Sequence, residues 1–501
     1  MFKTIIRHEW RTLRSDRSAW VVLVIFGVLI ECAIFNVSAT LRRQQAAEKQ
    51  TAIEEDNKFA RMRDEALRIE LEAASRGEPP PKFQAEAKYW DKPGPRDSVF
   101  VGAWNAPRIA PPSSSLTVLA IGQSDLAPSS YKVGLDGRLE WNARNRVAQQ
   151  LENPLLLKFG RFDLAFVILY VYPLLILAVS YSMISGEKET GTLHMLLAQP
   201  LRLRALAMGK MATRGMLVFG CALGFSAIGF LLNGIDLGGA ATVRLLLWGL
   251  AVIIYGAFWF ALACVVNAAG RGSATTALIL AVAWLIFLFV VPSTTNFIAV
   301  TAYPIPPRIE YINAARAAED LSRSKRKDLV ARYLSANPEL RQYGWTIDNL
   351  GVGYPEVPEA MPEKIEAQDT LESLNPVVAR YEGRLAGQQR VVGGLSFFSP
   401  AILMQGVLYN LAGTGRDRHE HFLRQINAFN KTWNDFFDVK PFRREMVNAS
   451  DYERFPRFAY REESLREVVS RIIIPMAALL VMTTALFVFA SRAFRRYAIV
   501  G

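Results

Sequence analysis

The apolar residues of this chain are bunched into blocks of about 20, the length needed to cross a bilayer. Six such blocks occur, at 19–37, 164–184, 216–232, 245–266, 274–291 and 472–490. Two long, strongly polar segments, 38–163 and 292–471, separate some of them. A soluble domain would disperse its apolar residues among polar ones. The bunching therefore predicts a mainly α membrane protein with six transmembrane helices and two large, helix-rich extracytoplasmic domains.

Charge gives the orientation. The net +12 arises from 58 basic against 46 acidic residues, and in a membrane protein such an excess holds loops on the cytoplasmic side. Basic residues cluster at the N-terminus (Lys3, Arg7, Arg11, Arg14, Arg17), after the second block (Lys188, Arg202, Arg204, Lys210, Arg214), at Arg271, and in the tail (Arg492, Arg495, Arg496). All of them fall inside if both termini are cytoplasmic. In a bacterium this reads as a multi-pass inner-membrane protein with its large segments in the periplasm. The basic start and the Val-Ser-Ala at 37–39 also fit a cleavable signal peptide, but the apolar run is nearer a full span and reads as an uncleaved anchor. No basic stripe with interleaved aromatics is present, so nucleic acid is not an expected partner. Membrane lipid is. Cys32, Cys221 and Cys264 all lie in apolar blocks and act there as small hydrophobes.

The segment 41–77 is rich in Ala, Glu, Gln and Arg without proline, and is expected to carry span one outward as a helical stalk that stops at Gly77 and the prolines from Pro79. Trp90, Trp104 and Trp141 among Gly/Pro turns suggest a small mixed lobe over 88–141. In the second segment, Pro292 and the prolines after it break the apolar run. Helices are expected over 308–337, 362–391 and 417–439, with Trp433, Phe436 and Phe437 in a packed core.

The motif with mechanistic content follows span two: SGEKETGTLHMLLAQP at 185–200. Glu187 and Glu189 precede a short helix, where carboxylates suit its N-terminus, and Thr190 or Thr192 can cap it. Leu193, Leu196 and Leu197 share one face, and Pro200 ends the rod. Composition alone allows an interfacial loop lying on headgroups. However, the stretch resembles the cytoplasmic loop of permeases in the ABC type-2 exporter superfamily, where an E-x-E-x-G-T-L-x-x-L-L-x-x-P pattern forms the coupling helix that docks in a groove of the ATPase. Gly186, Glu187, Glu189, Gly191, Thr192, Leu193, Leu196, Leu197 and Pro200 carry the resemblance. The basic, amphipathic residues 2–18 resemble that family's interfacial connecting helix, and the six-span layout agrees.

The resemblance implies an ABC type-2 arrangement: a 1–18 connecting helix, the loop 185–215, and a tail 491–501 at the cytoplasmic face. It implies a separate ABC ATPase dimer as partner, with ATP and Mg on that partner. It also implies a second permease subunit, identical or a sister chain. The two outer domains depart from the compact members of the superfamily and suggest a periplasmic partner. This chain itself is not expected to be an enzyme or to hold a cofactor. No phosphate-cradling Gly-rich loop precedes Gly209-Lys210, and His419 and His421, two residues apart, point to different sides of a helix and do not make a metal site. Glu31, the one carboxylate within span one, is an intramembrane functional candidate. Tyr170, Tyr172 and Tyr181 either face a path or serve packing. Two further readings stand beside export: a mechanical or maturation device driven by the same ATPase, and an ATPase-independent receptor.

Overall fold

The computed structural model describes residues 2–77, 94–98, 100–122, 130–133, 162–198, 202–234, 238–347, 360–437, 440, 443 and 445–495. Among the described residues, six helices are long and apolar enough to cross a membrane: Arg17–Ser75, Leu164–Glu189, Leu203–Leu232, Ala240–Asn267, Ser273–Ala302 and Leu465–Arg495. They are spans one to six of a helical multi-pass membrane protein. The prolines from Pro79, Trp90, Trp141, Pro200 and the tail beyond Arg495 lie outside the described residues.

Span one does not end at Val37. It is the first part of one 59-residue helix, Arg17–Ser75, whose second part is the expected stalk. Asp16 opens it by accepting from the backbone N–H groups of Ser18 and Ala19 at 3.0 and 3.3 Å. Beyond Leu41 no glycine or proline interrupts the backbone ladder before Ser75. Phe26, Ile30 and Ile34 of this helix pack with Tyr172 and Ile176 of span two, Tyr255 and Trp259 of span four and Leu479 of span six. With lipid outside, there is little water to expel, so close packing holds this core.

Proline was expected to break span five at Pro292, and the structure corrects this: the helix continues to Ala302. Five residues with wider, π-type hydrogen bonding, Ile286–Val290, precede it. A matching turn, Val167–Val171, precedes Pro173 in span two. The widened turn keeps the proline ring off the carbonyl one turn back. Other helices then satisfy backbone carbonyls here. Leu169 accepts from the Tyr255 hydroxyl at 3.0 Å, Tyr170 from Trp284 Nε1 at 3.2 Å, and Phe287 from Ser399 Oγ at 3.3 Å.

The two polar segments do not form two separate domains. Part of the second, 416–460, shares a core with the first: Met62 and Ala66 of the stalk, Val101, Ile109 and Tyr131, and Phe422, Ile426, Trp433, Phe437, Tyr452 and Phe455. A two-stranded antiparallel sheet, β1 Arg108–Ile109 with β2 Tyr131–Lys132, edges this lobe. The expected helix over 417–439 is Arg416–Phe437. The rest of the second segment is a helical arm of Arg308–Ser324, Arg326–Ala336 and Ala360–Leu395, with its own core of Leu329, Val330, Leu334, Leu340, Trp345 and Ile365.

Two stretches expected outside the bilayer instead join the span core. The 13-residue helix Pro400–Ala412 turns back by 116° from the end of the arm and buries Met404, Val407, Leu408 and Leu411 among the spans. Ser399 caps it, accepting from the Ile402 N–H at 3.2 Å. Residues 116–120 lie beside it, and the Asp163 carboxylate pins their end by accepting from the Ile121 and Phe166 N–H groups at 2.9 and 2.7 Å. A run of 13 residues is too short to span, so a search for full-length blocks passes over it.

Candidate functional site

The loop after span two is an elbow of two short helical pieces. Ser185–Glu189 extends the span, Gly191 turns the chain with φ of 74°, and Thr192–Leu197 follows. That left-handed backbone strains any residue with a side chain, which is why glycine stands there. Thr190 Oγ1 donates to the Gly186 carbonyl at 2.9 Å, and Thr192 Oγ1 donates to the Glu187 carboxylate.

Each carboxylate of the motif fastens the elbow to another element. Glu187 accepts from Lys210 Nζ of span three at 2.5 Å. Lys210 also lies 3.4 Å from Glu9, on the N-terminal helix Phe2–Ser15, and Glu9 accepts from Arg214 at 2.6 Å. Arg214 in turn donates to the Val179 carbonyl of span two. Glu9 is 1% exposed and Lys210 5% exposed, so this is a buried alternation of charges. Such a set is costly to desolvate and holds only when each member is matched. The N-terminal helix sits close enough for this because Gly209 has no side chain: a Cβ there would lie 2.6 Å from Ile5.

Glu189 reaches the start of span five and accepts from the Ser273 N–H at 2.6 Å and its hydroxyl at 2.8 Å. A carboxylate at a helix N-terminus satisfies donors that the helix leaves open. Lys188 donates to the Gly270 carbonyl at 3.3 Å. Asn267, at the end of span four, accepts from the Ile184 N–H at 3.2 Å and donates to the Ser180 carbonyl at 3.2 Å.

The leucine face does not point outward. Leu193 is 1% exposed and packs with Ile5, Met183, Ile184, Leu206, Cys264 and Phe494, with Leu196 against the same cluster. These residues anchor the rod to the bundle. The surface it presents is Met195, 75% exposed, with Thr190, Gly191 and Ala198 also exposed. Pro200 and the Leu197 side chain lie outside the described set.

Residues 308–461 match a family model described as a domain of unknown function (DUF3526). The match covers the arm, the helix Pro400–Ala412 and much of the lobe, and stops short of the elbow. No curated protein and no solved structure matches the chain.

The structure does not bring Glu31 to the elbow. It lies on span one against Gly229 of span three, and its Oε1 is enclosed without a hydrogen-bond partner among the described residues. Tyr172 is buried and stacks on Phe26 at 5.9 Å, while Tyr170 packs on Phe289 at 5.7 Å. His421 Nε2 lies 3.0 Å from the Arg461 carbonyl, and among the described residues no group of three or more metal-ligating side chains gathers. Sequence reasoning read Lys210 and Arg214 only as loop charges and passed over Glu9, Asn267 and Ser273. A signal was present: Glu9 is the one acid in a basic helix, and Lys210 and Arg214 stand one turn apart in an apolar one.

Proposed function

We propose that this chain is the permease subunit of an ATP-binding-cassette exporter of the type-2 kind, driven by a separate ATPase dimer that binds ATP and Mg. The elbow is its coupling helix, and its face lies in the bacterial cytoplasm with both termini. The observation that carries the reading is the fastening of the elbow to several elements at once: Glu187 to Lys210 of span three, Glu189 to Ser273 of span five, and Leu193 packed with Ile5 of the N-terminal helix, Cys264 of span four and Phe494 of span six. A lipid-resting loop has no use for that many directional bonds. A lever gripped from outside needs them, because a push on Met195 must move spans rather than fold the loop. Glu187, Glu189, Gly191, Thr192, Leu193 and Leu196 thus shape and anchor the lever, and Met195 meets the partner.

The test is co-purification from solubilised membranes. Met195→Arg leaves the fold intact and is expected to reduce the recovered ATPase at least tenfold. A cysteine at the same position is expected to crosslink to the ATPase. An ATPase recovered equally well with Met195→Arg, or a crosslink to lipid alone, would sink the reading.

A second reading, in which the same engine does mechanical or maturation work on an envelope partner without moving a solute, is favoured by the unbroken Arg17–Ser75 helix, which joins the membrane directly to the lobe. Spin labels on the lobe of the reconstituted complex separate the two readings: an ATP-dependent shift in sealed vesicles that admit no solute supports the second.

A further inference from the structure

The bend where the arm meets the helix Pro400–Ala412 holds an open cleft of about 390 Å3. Ligand sites run from roughly 300 to 1,000 Å3. The two walls differ. The arm contributes Gln388, Gln389 and Ser396, and the other side is Ile402 and Leu403 with Pro475 of span six. Among the described residues lining it, none is charged. Gly393 and Gly406 line it too, and a Cβ on either would meet nothing within 4 Å, so their missing side chains keep it open.

Backbone lengths put this cleft at one boundary of the bilayer. Arg271 and Arg495 mark the boundary on the elbow side, because charges are costly in hydrocarbon. At 1.5 Å per residue, Pro475 lies roughly 30 Å from Arg495 along span six. On span five, Phe287, whose carbonyl accepts from Ser399, lies roughly 21 Å from Ser273. Tyr303, whose carbonyl accepts from Gln388 Nε2 at 2.8 Å, lies roughly 45 Å from it. The hydrocarbon core is about 30 Å thick. Both spans therefore set the cleft across its far edge, with Ile402 and Leu403 inside and Gln388 and Gln389 at headgroup depth.

The chemistry of the walls names the ligand. Gln388 commits an N–H to Tyr303, and Ser396 Oγ donates to the Gly393 carbonyl at 2.7 Å. Their oxygens, with that of Gln389, are left as acceptors. Acceptors without a cation suit hydroxyl groups, whereas phosphate is held by cationic donors. We infer that the cleft binds a lipid with an uncharged, hydroxyl-bearing head, a diacylglycerol or its glycoside. The head hydroxyls donate to Gln388, Gln389 and Ser396, and an acyl chain descends past Pro475. Ala478, Met482 and Leu486, all half-buried, continue the Pro475 face toward the middle of the membrane and give that chain its track.

The whole chain is placed in nanodiscs of dioleoyl phosphatidylcholine with a trace of a diacylglycerol that carries a diazirine on one acyl chain. After illumination the labelled peptides are mapped, and label is expected on 402–406 and 475–486. Dioleoylglycerol is expected to displace the probe at about one tenth the mole fraction needed by dioleoyl phosphatidate, which differs from it only in the phosphate. Gly406→Leu, which fills the cleft, is expected to reduce labelling about tenfold. Gln389→Leu is expected to shrink the preference between the two competitors to about threefold. Label spread evenly over the lipid-facing spans overturns the proposal. So do equal competition on the unaltered chain, labelling that survives Gly406→Leu, and a crosslink from the cleft to a second copy of the chain. The competition on the unaltered chain decides even if a variant fails to fold.

Discussion

The elbow and the lobe solve the same problem with opposite chemistry. Each ties together segments far apart in the chain: Glu9 to Lys210 and Arg214 in the first, Phe59 to Trp433 and Phe455 in the second. At the elbow the ties are buried charges and directional hydrogen bonds. In the lobe they are rings, such as Tyr131 on Phe422 at 5.7 Å and Phe59 on Trp433 at 6.1 Å, trimmed by single polar anchors like Trp433 Nε1 on the Gly102 carbonyl at 2.9 Å. Ring packing tolerates small shifts and gives cohesion. A buried ion pair tolerates few geometries and gives register. The lobe is therefore built to stay together, and the elbow to hold one position relative to the spans.

The contrast can be broken most sharply at its two centres. Glu9→Ala leaves two buried cations short of an acid and is expected to cost about 3–5 kcal/mol. Trp433→Ala is expected to cost a similar amount, about 3–5 kcal/mol, through the cavity it opens. The two differ in rescue. Adding Arg214→Met to Glu9→Ala removes the cation left without its acid while Lys210 keeps Glu187, and is expected to return much of the loss in thermal melting, whereas no charge change restores Trp433→Ala. Rescue of both or of neither would erase the distinction drawn here.

A smaller effect sharpens the elbow alone. A double-mutant cycle on Glu187→Gln and Lys210→Gln is expected to give a coupling of about 1–3 kcal/mol, read from limited proteolysis of the loop. A coupling near zero would mean that the motif carboxylate does not fasten the elbow.

The lobe has a pH signature of its own. For Glu462, burial pushes the carboxyl up but the hydrogen bond and charge of Arg418 outweigh it, and it ends below its ordinary value of 4.5. Its contribution is thus complete above that value and is lost as pH falls through the lower, folded one. Burial pushes the Tyr460 hydroxyl up from 10.0 to about 12, and the acids Glu462 and Glu463 add to that while Arg418 opposes it. Stability from this group is complete below 10 and declines as pH rises toward about 12. Tryptophan fluorescence of the lobe is expected to track both limits. Retained lobe fluorescence at both extremes would deny these groups a role. The smallest effect belongs to the exposed pair Arg416–Glu420: Glu420→Gln is expected to change stability by no more than about 0.5 kcal/mol.

Much of the membrane part was legible in the sequence because a span announces itself by length and hydropathy, and stalk and arm helices by composition. The failures have specific causes. Pro292 reads as a stop because the π-turn ahead of it, one of whose carbonyls accepts from Ser399 more than a hundred residues away, leaves no mark in the local sequence. The helix Pro400–Ala412 hides because burial among spans needs no full-length apolar run. The sharing of one core by 94–133 and 416–460 is a matter of pairing, which composition does not encode. The leucine spacing puts Leu193 on an apolar helix face, but the pattern cannot say whether that face meets a partner or the chain's own Ile5 and Phe494.

The two π-turns have a mechanical corollary. An α-helix is stiff because its ladder of backbone bonds shares any load along its length. In spans two and five that ladder is rerouted beside Pro173 and Pro292, and the rerouted stretches touch through Tyr170 and Phe289. Bending strain concentrates at such weak links, so these two helices are expected to yield at a common level, like opposed knuckles, while their uninterrupted neighbour Arg17–Ser75 is expected to resist bending.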